Sequence, residues 1–249
     1  MKITVSHDIF RFAKVFTISR GSRSQAKVLS VKVERNGFTG RGECVPYARY
    51  NETLSSVEKD IKSLPHDVDR AGLADLLPAG AARNAVDCAL WDLEAKTAGK
   101  RVWQLAGLPE PKPEITAYTL SLDSPERMHT QALEHAFRPL LKIKLGTPDD
   151  MPRLEAVRAG APKSDIIVDA NEGWSPEVYA DLAPHLISLG VKLVEQPLAA
   201  NQDDALLGMK RPVPVCADES CHDRSSLENL AGKYDIINIK LDKTGGLTE

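Results

Sequence analysis

Several features that would point to a class at once are scarce or missing. There are four cysteines in 249 residues, Cys44, Cys88, Cys216 and Cys221, and no two of them form a Cys-x-x-Cys pair. That argues against a zinc ribbon and leaves free thiols as the expectation. Positive charge is not in excess: 32 Lys and Arg stand against 35 Asp and Glu, for a formal net charge of -3. Without a basic footprint, neither nucleic acid nor an anionic membrane is an expected partner. No apolar run is long enough to span a bilayer, and the start, Met1 to Asp8, has no apolar h-region, so no secretion signal is expected. A Gly-x-Gly-x-x-Gly after the first strand of an alternating region is also missing, which weakens a dinucleotide-binding reading. What is left is an ordinary globular composition, 42% hydrophobic and 27% charged, with enough chain for a sizeable core in one or two domains. A soluble, cytoplasmic protein is the expectation.

The first part of the chain reads as sheet followed by helices. Gln25 to Arg35 alternates apolar and polar residues, Asn36-Gly37 supplies a tight hairpin turn, and Phe38 to Val45 returns. A helix is expected over Asn51 to Leu64. A second, over Ala81 to Ala98, carries Ala85, Cys88, Ala89, Trp91 and Ala95 at helical spacing, with Gly99 as its stop. The Pro-rich segment Leu108 to Pro113 then predicts a boundary, giving an α+β unit over residues 1–112 and a second domain over 113–249.

The second part alternates strands and helices. Strands are expected at Ile115–Ser121, Leu140–Leu145, Ile166–Ala170, Lys192–Glu195, Val213–Ala217 and Ile236–Leu241, about 25 residues apart with a helix between each pair. The helices are expected from Pro125, Pro148 and Ser175 and near Asp203 and Arg224. Six such strands in series favour an α/β barrel over a doubly wound sheet.

Chemistry gathers on these strands. In Leu141-Lys142-Ile143-Lys144-Leu145 the two lysines share one face and the aliphatic residues the other. Neighbouring like charges and burial both depress an ammonium pKa, which is how a lysine becomes a base near neutrality; an edge strand with a solvated lysine face is the alternative. Asp169, Glu195 and Asp218 each close one of the next three apolar runs. One such acid commonly caps a helix. Three on adjacent strands would converge at the C-terminal face of a barrel, where they repel unless a cation lies among them, and an all-oxygen set suits Mg²⁺. Lys240, at the end of the sixth strand, would stand across from Lys144, with Lys243 a competitor for its role. A lysine on each side of a metal site is a two-base arrangement for inverting a carbon next to a carboxylate.

The motifs Lys142-Ile143-Lys144, Asp169-Ala170-Asn171, Glu195-Gln196-Pro197, Asp218-Glu219-Ser220 and Lys240 through Gly246 resemble the enolase superfamily in its muconate lactonizing enzyme-like subgroup. Arg20-Gly21-Ser22-Arg23-Ser24, Gly42 through Tyr47 and Leu77 through Ala85 are similar to the dipeptide epimerases within it. The resemblance implies an α+β capping domain ahead of a (β/α)8 barrel. It implies Mg²⁺ on Asp169, Glu195 and Asp218, and Lys144 and Lys240 as the two acid/base catalysts. Lys142 would touch the substrate carboxylate and lower the pKa of Lys144. Thr119 would contact the substrate, and Arg23, on a mobile capping loop, would pair with a terminal glutamate carboxylate or remain a solvated cation. The implied reaction is epimerisation of a small dipeptide such as L-Ala-D-Glu from murein turnover.

A barrel of this family has eight strands, and six are present before Glu249. The expected unit is therefore an incomplete barrel, either a piece of a longer protein or the product of a shortened gene, lacking an Asp-x-Asp pair that the resemblance implies would bind the dipeptide amino group. Open edges and the resemblance both lean towards a homo-oligomer. The alternatives are N-acylamino acid racemisation, cycloisomerisation or o-succinylbenzoate synthesis on the same residues, or a non-catalytic remnant.

Overall fold

The computed structural model describes residues 1–249. The chain opens with an antiparallel sheet of β1 (Lys2–Ile18), β2 (Gly21–Arg35) and β3 (Phe38–Cys44), in that order. Asn36 and Gly37 close the β2–β3 hairpin with φ of 52° and 81°, the left-handed pair that a two-residue hairpin turn requires. β1, absent from the sequence expectation, is the longest strand. It pairs with β2 along nearly its whole length and breaks register only between Arg11 and Phe16.

Leu29, Val31 and Val33 of β2 are fully buried against the helices that follow. Each such aliphatic side chain stabilises the fold by about 1.5–3 kcal/mol. The helices are α1 (Leu54–Lys62), α2 (Arg70–Leu76), α3 (Ala81–Ala98) and α4 (Val102–Leu105). Thr53 and Ser56 cap α1 reciprocally, and Asp69 caps α2. The α3 boundaries match the expected ones, and Gly99 ends the helix with φ of 63°. Residues 108–117 carry no helix or strand.

The second half is a six-stranded parallel sheet, with β4 (Tyr118–Leu120), β5 (Leu140–Lys144), β6 (Asp165–Asp169), β7 (Val191–Glu195), β8 (Val215–Ala217) and β9 (Ile236–Ile237) in sequential order. α5 (Pro125–Glu134), α6 (Met151–Gly160) and α7 (Pro176–Leu182) cover it. Leu141, Ile143, Ile166, Val168 and Val194 point into this second core. No helix is long and apolar enough to cross a membrane, and all four cysteines are free.

Three expectations need correction. The helices expected near Asp203 and Arg224 are 3₁₀ segments, Asp203–Gly208 and Arg224–Leu230. In the second, Ser225 and Ser226 bond back to Asp223 through their hydroxyls, which competes with an α-helical ladder. The last strand ends at Ile237 rather than Leu241. Beyond it the Lys243 ammonium takes up the Asn238 carbonyl at 3.1 Å, and the chain turns into the short α8 (Leu241–Thr244). Lys240 therefore flanks a helix start instead of closing a strand.

Candidate active site

Strand register brings the chemistry together. Lys144 of β5 sits beside Asp169 of β6, and Asp169 beside Glu195 of β7. Glu195 in turn pairs with Cys216 of β8, two residues before Asp218. The three acids are buried, and one oxygen from each lies within 4.8 Å of the others. Four ammonium groups surround them. Lys144 Nζ donates to Asp169 Oδ2 at 2.6 Å and to Asn171 Oδ1 at 3.0 Å. Lys142 lies 2.9 Å from the same Asp169 oxygen and also donates to Glu195. Lys240 reaches Asp218 Oδ2 at 2.5 Å, and Lys243 reaches Oδ1 at 2.8 Å. Asn238 donates to the other Glu195 oxygen at 2.9 Å.

The electrostatics correct one expectation. Mutual repulsion was expected to depress the lysines. Burial does act downward on Lys142, but Asp169 and Glu195 outweigh it and hold the ammonium above its ordinary value. Lys240 is likewise raised, with Asp218 outweighing burial. Asp169 and Asp218 are held below the usual carboxylate range because their lysines outweigh burial. Glu195 is pushed up, by burial first and by the Asp169 charge second.

Above this cluster is a cavity of about 540 Å³, bounded by Lys144, Asp218 and Lys240 below and by Phe16, Tyr47 and Tyr50 of the first half above. Lys144 Nζ lies 5.8 Å from the centre of the Phe16 ring. Lys243 also touches the cavity, but its side chain is 3% exposed while that of Lys240 is 50% exposed. Of the two competitors, only Lys240 has room to move.

Five of the eight expected residues do not line the cavity: Lys142, Asp169 and Glu195 belong to the cluster beneath it, and Thr119 and Arg23 lie outside both. Thr119 lies on β4 opposite Lys142. Arg23 is not on a loop: it is paired with Phe16 in the β1–β2 ladder, and its guanidinium lies 4.8 Å from the centre of the Tyr47 ring. It lines an adjoining recess of about 170 Å³.

The sequence reading missed a latch. Arg20, in the β1–β2 turn, donates to the Asn171 carbonyl at 2.7 Å, to Glu172 at 3.0 Å and to Glu219 at 2.7 Å. Arg49 joins Glu172 at 2.6 Å. Asn171 and Glu172 hold these positions with φ of 45° and 66°. The signal was present, because Arg20 and Glu219 both fall inside quoted motifs, but only the fold shows that they meet.

Residues 1–107 match the mandelate racemase / muconate lactonizing enzyme N-terminal domain, and residues 126–249 match the enolase C-terminal domain-like family. An L-Ala-D/L-Glu epimerase of Escherichia coli is 48% identical over 94% of this chain and 75% of its own length. An N-acetyl-D-glutamate racemase of a Pseudoalteromonas species is 43% identical over 89% of this chain and 72% of its own. The crystal structure of an enolase family member from Agrobacterium tumefaciens, with homology to dipeptide epimerases and with bound sodium and L-Ala-L-Glu, superposes with a TM-score of 0.96 at 49% identity. The match covers 99% of this chain and 77% of that one. A dipeptide epimerase of Enterococcus faecalis, complexed with Mg and L-Leu-L-Tyr, gives a TM-score of 0.92 at 29% identity, covering 99% and 76%.

Proposed function

The chain belongs to the mandelate racemase / muconate lactonizing enzyme family of the enolase superfamily and is an isomerase; on that premise we propose that it epimerises dipeptides, interconverting L-Ala-D-Glu and L-Ala-L-Glu. The observation that carries this reading is the placement of Lys144 and Lys240. They come from opposite sides of the Asp169, Glu195 and Asp218 cluster, with β6, β7 and β8 between them, and both face the cavity. A carbon held over the carboxylates has one amine on each side. One lysine removes the α-proton, and the other, protonated, returns a proton to the opposite face.

Asp169, Glu195 and Asp218 would hold Mg²⁺. The fit is chemical: three buried carboxylates offer oxygen ligands only, with one oxygen from each within 4.8 Å of the others. When bound there, the ion supplies compensation for the negative charge that grows on the substrate carboxylate as the proton leaves. Lys142 is assigned to that carboxylate. Arg23, beside Tyr47 in the adjoining recess, is assigned to the glutamate side chain, which a guanidinium fork suits. Thr119, across the β4–β5 pairing from Lys142, is assigned to a substrate contact. Residues 1–112 would act as the cap over a barrel unit formed by residues 113–249.

The test is exchange of the dipeptide α-proton in D₂O with Mg²⁺ present. Both epimers should gain deuterium and interconvert. No exchange with L-Ala-D-Glu or L-Ala-L-Glu would sink the reading. A second reading, racemisation of an N-acylated glutamate, is favoured by the Pseudoalteromonas relative. Exchange of N-acetyl-glutamate with the dipeptide left untouched would select it.

A further inference from the structure

A second buried polar cluster lies behind the ends of β7 and β8, outside the cavity. At its base is Asp203, which is 3% exposed. Its Oδ1 accepts from Lys233 Nζ at 2.8 Å. Its Oδ2 accepts from Ser220 Oγ at 2.6 Å and from Tyr234 OH at 2.8 Å. A carboxylate paired with an ammonium has only lone pairs to offer. The two hydroxyls also lie 3.0 Å from each other, so at least one hydroxyl hydrogen points at Asp203, and the oxygens of Ser220 and Tyr234 keep lone pairs for a donor on their other sides.

Gln196 uses those acceptors. Its Nε2 lies 2.8 Å from Ser220 Oγ, 2.8 Å from Tyr234 OH and 2.9 Å from the Leu198 carbonyl, so two amide hydrogens serve three oxygens. The amide oxygen must then face the other way, where it accepts the backbone N–H of Asp218 at 2.9 Å and of Ser220 at 3.1 Å. The two ends of an amide are nearly equal in shape, so shape alone would not orient this side chain. Its polarity is set by the two backbone N–H groups on one side and the Leu198 carbonyl on the other, and Asp203 supports it by holding the two hydroxyls in place as further acceptors. Gln196 is fully buried and directly follows Glu195, and its backbone is held at φ of 36°, a conformation that favours glycine. The residue after one carboxylate is thus clamped to the backbone of another.

We propose that Asp203 is a positioning residue for the carboxylates of Glu195 and Asp218, acting through Ser220, Tyr234 and Gln196 to set the spacing at which the two strands present their oxygens to a divalent cation. This rests on the cation site put forward above. Partners behind metal ligands govern affinity by fixing ligand orientation, and losing one typically costs 10–100-fold.

The experiment is calorimetric titration of the purified chain with Mn²⁺ alone, without dipeptide, alongside circular dichroism and a thermal melt. Asp203→Asn supplies an NH₂ that has no correct place among three donors, and its Mn²⁺ affinity should fall about 10–100-fold. Tyr234→Phe keeps the packing volume and removes one acceptor from Gln196. It should lose affinity in the same direction by less, and it carries the test if Asp203→Asn does not fold. A folded variant with a lower melting temperature and unchanged Mn²⁺ affinity overturns the positioning role and leaves the cation site standing. A wild-type chain that binds no Mn²⁺ overturns both.

Discussion

Lys243 holds Asp218 from inside the protein while Lys240 holds it from the cavity. Lys243 donates to Asp218 Oδ1 at 2.8 Å, to the Asp218 carbonyl at 2.5 Å and to the Asn238 carbonyl at 3.1 Å, so all three of its hydrogens are used. Lys240 has one partner, Asp218 Oδ2 at 2.5 Å, on a half-exposed side chain. The two lysines should therefore fail differently. Lys243→Met leaves a buried carboxylate short of its cation and should lower stability by about 3–5 kcal/mol, read by urea unfolding. Lys240→Met should change stability by under about 1 kcal/mol and slow epimerisation by about 10²–10⁴-fold. In D₂O the Lys240 variant should still exchange the α-proton of one epimer through Lys144. Loss of exchange from both epimers would contradict the division of labour.

The Arg20 latch should govern how the first half sits over the site. The guanidinium joins Glu172 and Glu219, whose side chains are 8% and 4% exposed, while Arg20 itself is 37% exposed. Its pKa is raised: burial acts downward, but Glu219 first and then Glu172 outweigh it. Glu219 already has one buried oxygen, Oε2, without a partner. In Arg20→Ala the remaining Glu219 oxygen keeps only Asn171 at 3.4 Å. The expected loss is about 1–2 kcal/mol, allowing for solvent at Arg20. Amide exchange should accelerate over residues 15–24 and stay unchanged in α5 and α6. Uniform acceleration across the chain would mean global destabilisation instead.

What could be read beforehand follows from how local each signal is. Alternation put two lysines on one face of β5, and the acids closing the next three apolar runs favoured a site there over a solvated lysine face. Asp169 and Glu195 each close a buried strand, and the run of apolar residues before them fixes where they emerge. α3 was legible to the residue because its small side chains recur at helical spacing and Gly99 can take a left-handed stop. β1 was not legible: its outward face is exposed through most of its length, and its pairing with β2 decides its conformation. The Arg20–Glu219 contact joins residues 199 apart, and nothing local to either predicts it. Lys240 and Lys243 look alike in sequence, and only burial separates them.

Acid should weaken the fold through His135. Its ring packs on Tyr118 with centroids 4.1 Å apart, and its Nδ1 is buried without a partner. Burial first, and the Arg138 cation second, hold its pKa below the ordinary value of 6.5. The folded chain thus binds fewer protons at this position than the unfolded chain. The contribution of His135 is in place above pH 6.5 and is lost as the pH falls through the lower folded value. Urea midpoints measured downward from pH 7 should decline over that window. His135→Phe, which keeps the ring contact and cannot titrate, should flatten the part of the slope due to this group. An unchanged slope would assign the decline to other groups.

Gly40 and Gly42 on β3 let α3 lie directly on the sheet. A Cβ on Gly42 would stand 2.1 Å from the Ala85 carbonyl oxygen, and one on Gly40 would stand 2.0 Å from that of Ala89. Both obstacles are helix backbone, so no side chain can swing aside. Gly42→Ala should therefore cost at least the 1–3 kcal/mol, roughly, of an overpacked core. Gly37→Ala, in open space at φ of 81°, should show only the left-handed penalty of about 1–2 kcal/mol. Gly40→Ala and Gly42→Ala push α3 in the same direction, so the double variant should lose less than the two single losses added. The displacement should also reach the site. From α3, Asn84 donates to Asp242 at 2.7 Å and Arg83 to the Thr244 carbonyl at 2.6 Å, and these bonds flank Lys243 in α8. A Gly42→Ala chain that folds should therefore lose epimerase activity beyond its loss of stability, measured at a temperature where it remains fully folded. Undiminished turnover there would mean that α3 does not hold α8 in register with Asp218.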